Sequence, residues 1–259
     1  MAHISSKFSA RRVALAVALA FLVLASSAAA QREEPVAKAT TLRTAAASSA
    51  DVVKRSRDEA GQPVVYKPPR RGSPRGRVAG GMRNASVALP EPLALAPDHV
   101  AETISASPSL FWHLDGTPPE TARIVFTLIE EGAVAPIVER QLALPATAGI
   151  QRVRLADLGV TLDRDVEYEW SISLQPSADD HTTDVVSQRY LRRVDPSELA
   201  GRAPSARAFA EQGLWYDALE ALCDSIDLEP ADVELRAQRD SLLRQAGLDA
   251  ALASATQAP

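Results

Sequence analysis

The chain has 259 residues, of which 46% are hydrophobic, a composition ordinary for a globular protein of one large or two small domains. Its formal net charge is −5. Cys223 is the only cysteine, which excludes an internal disulfide, and its helical surroundings predict a buried thiol.

The first 30 residues have the pattern of an export signal. Lys7, Arg11 and Arg12 precede an uncharged apolar run at 13–25, and three alanines at 28–30 fit a cleavage site. The run has 13 residues, fewer than the ~20 that a membrane-spanning helix needs. We therefore expect cleavage after residue 30, a periplasmic or secreted protein, and no transmembrane segment after cleavage.

Two segments follow the signal before any regular pattern begins. Residues 31–62 have almost no large apolar side chains and predict a disordered tether. Residues 63–86 form what we call the basic strap, which contains the run "YKPPRRGSPRGRVAGGMR" and no acid within it. The candidate binding or docking residues of the basic strap are its positive side chains, Lys67, Arg70, Arg71, Arg75, Arg77 and Arg83.

The charge of the basic strap contrasts with the rest of the chain. Residues 84–259 contain 13 Lys and Arg against 28 Asp and Glu, a net charge of −15. Three interpretations remain open: the strap docks on its own acidic body, it binds an anionic envelope polymer or lipid, or it is solvated. Nucleic acid is not an expected partner, because the chain carries an export signal and the strap lacks interleaved aromatics.

Residues 87–195 show the period-two pattern of β-strands. In "VEYEWSISL", the side chains of Tyr168, Trp170, Ile172 and Leu174 share one face, and polar side chains share the other. Five more candidates are "SLFWHL", "ARIVFTLIE", "IVERQLAL", "IQRVRLADL" and "TTDVVSQRYLRRV". This spacing predicts an antiparallel β-sandwich of immunoglobulin or fibronectin type III type, and Leu162 before Tyr168 is typical of a tyrosine corner.

Residues 196–248 change to a helical period and predict a short helical cap, so the predicted fold class is α+β; residues 249–259 predict a disordered tail. The helical cap resembles a single tetratricopeptide repeat at Ala206, Phe209, Gly213, Ala218, Leu222, Ser225 and Pro230. Trp215 and Tyr216 are candidate aromatic contacts. We expect them to pack the cap on the sandwich; a surface recognition patch is the alternative.

Taken together, the arginine–glycine block, "LFWHL", "YEWSISL" and "AEQGLWYDALEAL" resemble the domain of unknown function 928 family of bacterial exported proteins. The resemblance covers about residues 63–248. It implies export and a shared architecture. It implies no established activity, so no catalytic residue is carried over from the family.

No residue pattern for catalysis, cofactor binding or metal binding stands out. The polar cluster "SADDHTTD" would hold a cation through Asp179, Asp180, His181 and Asp184, but a solvated turn between strands is the favoured interpretation. Glu167 and Glu169 would serve a glycoside hydrolase only with further partners; a solvent-facing sheet surface is favoured.

The sequence therefore predicts an exported, non-catalytic binding or scaffold module that needs no cofactor. Its expected partner is an unidentified protein, bound by strand addition at a sheet edge or by a helix against the cap. Two alternatives remain: an envelope hydrolase acting on glycan or peptide, and attachment of the basic strap to an anionic surface.

Overall fold

The computed structural model describes residues 48–59, 61–69, 89–177, 181–199 and 203–253, all within one compact unit. Within these ranges the α-helices are α1 (Ser49–Asp58), α2 (Ala206–Glu211), α3 (Trp215–Leu228), α4 (Val233–Gln245) and α5 (Ala250–Ala253). The strands are β1 (Pro92–Ala94), β2 (Ala101–Thr103), β3 (Ser109–Leu114), β4 (Arg123–Glu130), β5 (Val138–Leu142), β6 (Gly149–Arg154), β7 (Glu167–Gln175) and β8 (Val185–Arg193).

The strands form two sheets, so the fold is α+β and sandwich-like. One sheet has the order β1–β3–β6, and the other has the order β2–β8–β7–β4–β5. Each described pair of strands is antiparallel except β2 with β8, which run parallel. This pair corrects the prediction of a wholly antiparallel sandwich: β2 and β8 are distant in sequence, so no hairpin constrains their relative direction.

The apolar faces of the long strands make the core. The predicted alternation of β7 is confirmed, since Tyr168, Trp170, Ile172 and Leu174 are all buried. Trp170 lies opposite Leu128 of β4, and its ring is 6.4 Å from that of Phe126. All six residues of β3 are buried, which means that both faces of this central strand are covered.

The six predicted strand segments are all present, at β3 to β8. The sequence did not predict β1 and β2, which have three residues each and are too short to show an alternation. Near the predicted tyrosine corner, Leu162 is buried and the Asp163 N–H donates a hydrogen bond to Tyr168 Oη at 2.9 Å.

Local signals explain where the cap helices begin and end. Ser205 Oγ accepts from the Ala208 N–H at the start of α2. Gly213 has φ +81° between α2 and α3, a left-handed conformation that glycine adopts without a steric penalty. Asp232 caps α4, because its Oδ1 accepts from the N–H groups of Glu234 and Leu235 at 2.8 and 3.2 Å.

Two segments in which disorder was expected contain a helix. Within the predicted tether, α1 packs against the cap: Val53 and Ser56 are buried, and Ser56 Oγ accepts from the Ala206 N–H at 2.9 Å. In the predicted tail, α5 buries Ala251. These contacts with distant residues outweigh the local composition. The predicted signal lies outside the described residues, and no helix in the described ranges combines the length and apolar character needed to cross a membrane.

Candidate functional site

The two candidate aromatic contacts lie in the interior, between the cap and the sandwich. Trp215 and Tyr216 are both 0% exposed. The Trp215 Nε1–H donates to the Leu95 carbonyl at 2.9 Å. Tyr216 Oη accepts from the Trp170 Nε1–H at 2.8 Å and donates to the Tyr190 carbonyl at 3.0 Å. These two side chains therefore join the cap to the sandwich and offer no surface to a partner.

Two carboxyl groups on α3 reinforce this joint. Asp217 Oδ2 accepts from the Ile104 N–H at 3.1 Å, just after β2. Glu220, one turn later, accepts from the Ser109 hydroxyl at 2.5 Å, at the start of β3. Burial raises the pKa of Asp217 to about 7, although hydrogen bonds from Thr103 and Ile104 oppose the shift. Neither acid was predicted as a contact from the sequence, although their i, i+3 spacing places them on one face of a helix.

The start of the basic strap is docked on the cap through its backbone. The Tyr66 N–H donates to Gln245 Oε1 at 2.8 Å, and the Gln245 Nε2–H donates to the Val64 carbonyl at 2.9 Å. The Lys67 N–H donates to the Ala210 carbonyl at 3.0 Å. We call residues 61–69 the docked segment. Backbone pairing of this kind fixes its position without depending on charge.

The ring of Tyr66 anchors the docked segment in the core. It makes an edge contact with Trp215 at 5.1 Å, and its Oη hydrogen-bonds His99 Nε2 at 2.9 Å. Burial is the main cause of two pKa shifts: it raises the pKa of Tyr66 and lowers that of His99. At neutral pH the pair is therefore uncharged.

Only one positive residue of the basic strap lies among the described residues. Lys67 has an exposed side chain and a fixed backbone. The other five candidates, Arg70, Arg71, Arg75, Arg77 and Arg83, lie outside the described residues. The strap thus begins from a fixed point on the cap.

We expect Gly213→Ala to loosen the docked segment. A Cβ at this position would lie 2.9 Å from the Lys67 carbonyl oxygen, and the left-handed backbone alone would cost an alanine about 1–2 kcal/mol. Gly132 is a matched control, because it also has φ +81° but open space around its Cβ. Both variants should lose about 1–2 kcal/mol of unfolding free energy from backbone strain, and Gly213→Ala should lose about 1–3 kcal/mol more from overpacking.

Amide hydrogen exchange would locate the effect. The Lys67 N–H, which donates to Ala210, should exchange faster in Gly213→Ala and at the parent rate in Gly132→Ala. Equal exchange and equal stability in the two variants would show that the docked segment does not depend on close approach at Gly213.

A cleft of about 320 Å³ opens where β6 meets the cap. We call it the arginine cleft, because Arg152, Arg154 and Arg239 line it together with Phe111 and Asp227. Two of these arginines are on one strand, and the third is on α4. This concentration of positive charge is unexpected within a part of the chain whose net charge is −15.

The three arginines differ in how far acids neutralise them. Arg152 Nη2 lies 2.6 Å from Asp224 Oδ1, and its guanidinium carbon is 4.7 Å from the centroid of Phe111. Arg239 pairs with its neighbour Asp240 at 2.9 Å. Arg154 is exposed and has no ion-pair or hydrogen-bond partner among the described side chains. The arginine cleft therefore keeps capacity to bind an added anion.

Cys223 also contributes to the lining of the arginine cleft. The predicted burial of its thiol is confirmed. Burial raises its pKa to about 12, so the thiol is protonated at neutral pH and is a poor nucleophile.

The other candidate polar groups of the sequence do not come together in one site among the described residues. Among the described residues, no three His, Cys, Asp or Glu side chains form a metal-binding group. His181 Nδ1 lies 3.0 Å from Asp184 Oδ2, while Asp179 and Asp180 fall outside the described ranges. Glu167 lies 3.4 Å from Arg192, which ties it to the neighbouring strand.

Comparison with known proteins gives one family. The sequence model described as Domain of Unknown Function (DUF928) matches residues 71–257. No curated protein and no solved structure matches the chain.

Proposed function

We propose that this chain, which belongs to the family described as Domain of Unknown Function (DUF928), is a non-catalytic binding module of the bacterial cell envelope. The signal pattern at residues 1–30 supports a periplasmic or secreted location. The partner in this proposal is a protein that adds a strand to the free edge of the three-stranded sheet.

The observation that carries the proposal is the open edge of β6. Among the described strands, β6 pairs only with β3. The Leu155 N–H donates to the Pro108 carbonyl, so the odd-numbered residues of β6 exchange hydrogen bonds with β3. The N–H and C=O groups of Ile150, Arg152 and Arg154 consequently point away from the sheet. A row of outward backbone groups is a template for another strand.

The placement of the aromatic residues supports a binding role over an envelope hydrolase. Trp112 and Trp170 are fully buried and cannot line a substrate cleft. The buried Asp217 and the half-buried Glu220 hydrogen-bond to Ile104 and Ser109, so both acids have structural partners. A glycan-cleaving site would need two carboxyl groups facing each other across a cleft.

The proposal also includes the type of sandwich and the type of helical repeat. The hydrogen bond from Asp163 to Tyr168 supports a sandwich of immunoglobulin or fibronectin type III type, because tyrosine corners bond the backbone a few residues upstream. The pair α2 and α3, with small buried residues at Ala206, Ala210 and Ala218, supports a single tetratricopeptide-like repeat.

Attachment through the basic strap is a second candidate function. The fixed backbone of Lys67 favours it, because this exposed positive residue is held at a defined position on the cap. The partner would then be an anionic envelope polymer or lipid, and binding would weaken with added salt.

Co-sedimentation of the mature protein with separated membranes, peptidoglycan and soluble periplasm tests both candidates. Ile150→Pro removes one outward N–H from β6 but no hydrogen bond to β3, so it should abolish capture by strand addition. The combined Arg70, Arg71, Arg75 and Arg77→Gln variant should leave that capture intact. Capture unaffected by Ile150→Pro overturns the proposal, and salt-sensitive capture lost only in the arginine variant favours attachment by the strap.

A further inference from the structure

The side chains at the free edge of β6 point to the chemistry of the partner. Arg152 pairs across the sheet with Phe111, and Arg154 pairs with Ser109, so both arginines lie on the face that the cap covers. Their side chains line the arginine cleft, while their backbone groups point outward along the edge. Each of these two residues therefore offers a strand both a hydrogen-bonding backbone and a positive side chain.

If a strand is added at this edge, the side chains at its alternate positions face the arginine cleft. Residues opposite Arg152 and Arg154 would exchange backbone hydrogen bonds with them, and their side chains would enter the arginine cleft. Opposite charges at such cross-strand positions stabilise pairing. Arg239, from α4, lines the same cleft and adds a third guanidinium group.

We propose that the free edge of β6 captures an extended protein segment with acidic residues at alternate positions, whose carboxylates enter the arginine cleft. This inference rests on the proposed function and names the chemistry of its partner. Arg154 supplies the main contact because it has no acidic partner among the described residues. Arg152, which is paired with Asp224, supplies mainly backbone contacts.

The open edge favours a peptide over a free anion. A small anion would use the guanidinium groups and leave the outward N–H and C=O groups of Ile150, Arg152 and Arg154 unused. A peptide uses both, and main-chain hydrogen bonds give affinity while alternate side chains give specificity. Asp227, on the rim, is 70% exposed and lies 3.8 Å from Arg152. Its charge opposes a compact anion more than an extended chain that contacts the whole edge.

The test uses short synthetic peptides and the full mature chain. One peptide alternates Glu with Thr, and its partner replaces every Glu by Lys. Binding is measured by fluorescence anisotropy at low salt, and amide hydrogen exchange follows Ile150, Arg152 and Arg154. We expect the Glu peptide to bind and to slow exchange at these amides, and the Lys peptide to bind at least about tenfold more weakly.

A charge reversal identifies the side chains involved. The double variant Arg154→Glu with Arg239→Glu should weaken binding of the Glu peptide by about tenfold or more and should bind the Lys peptide in its place. Arg140→Glu is the matched control, because it makes the same change on the edge strand of the other sheet. It should leave both affinities unchanged, and thermal melting of all variants checks that they fold.

Three results would overturn the inference. The first is equal affinity for the Glu and Lys peptides, and the second is a Glu-peptide affinity that the double variant does not alter. The third is binding of inorganic phosphate as tight as that of the peptide, without slower exchange at β6, which would identify a site for small anions. If Ile150→Pro abolishes envelope capture while the charge reversal does not, the proposed function stands and only the acidic partner is wrong.

Discussion

Trp215→Ala is expected to lower the unfolding free energy by about 3–5 kcal/mol, the range for truncation of a fully buried tryptophan. The Trp215 ring makes three kinds of interaction. It packs in the core at 0% exposure, its Nε1–H donates to the Leu95 carbonyl, and Tyr66 meets it edge-on at 5.1 Å. The truncation therefore opens a cavity and leaves a buried carbonyl without its donor.

Urea unfolding followed by far-ultraviolet circular dichroism would measure this loss. Val134→Ala is the control, since Val134 is 101% exposed and its truncation should change stability by less than about 0.5 kcal/mol. Hydrogen exchange at the Tyr66 N–H should also accelerate in Trp215→Ala, because the docked segment loses the surface against which its ring packs. A loss below about 1 kcal/mol would mean that the joint between cap and sandwich does not depend on this residue.

Much of the fold could be predicted because its strands are long and half-buried. In β7 every second residue is apolar, and this alternation alone identifies the face that contains Trp170. The same reasoning fails for β1 and β2, where three residues carry no period. It also fails for α1, whose buried residues Val53 and Ser56 gain their partners only from the folded cap.

The candidate site could be predicted only in part, because its residues come together through the fold. The sequence "RVR" in β6 already indicates that Arg152 and Arg154 share a face, since residues two apart in a strand do. The sequence does not indicate that Arg239 lies near that face, because α4 is far from β6 along the chain. The basic strap can be identified from composition alone, whereas the arginine cleft forms only when the chain is folded.

The contribution of Asp217 to the stability of this protein is expected to fall as pH rises from about 4 to about 7, and Asp217→Asn should remove that contribution. Burial raises the pKa of Asp217 from 3.8 to about 7, so the folded state binds a proton that the unfolded state has released in this interval. The contribution of Asp217 to the unfolding free energy is thus highest below pH 4. The loss is on the order of 4 kcal/mol once the pH exceeds 7.

Asparagine is a suitable replacement because it has the same shape and never ionises. Its Oδ1 can accept from the Ile104 N–H as Asp217 does, and its NH₂ group can donate to the Thr103 hydroxyl, which rotates to accept. Glu220, whose charge also raises the pKa of Asp217, is left unchanged. The variant should therefore be more stable than the parent at pH 8 and similar to it near pH 4.

The difference between parent and variant isolates Asp217 from the other groups that titrate in this interval. Burial lowers the pKa values of His99 and His113 below the ordinary 6.5, which makes stability rise with pH and opposes the effect of Asp217. Both histidines are present in parent and variant, so their contribution cancels. Asp227→Asn, at an exposed carboxylate of the same helix, should reproduce the parent profile. Equal slopes for parent and Asp217→Asn would mean that this carboxyl is already ionised in the folded protein at pH 4, and that its bonds to the strand ends hold a charge at the joint.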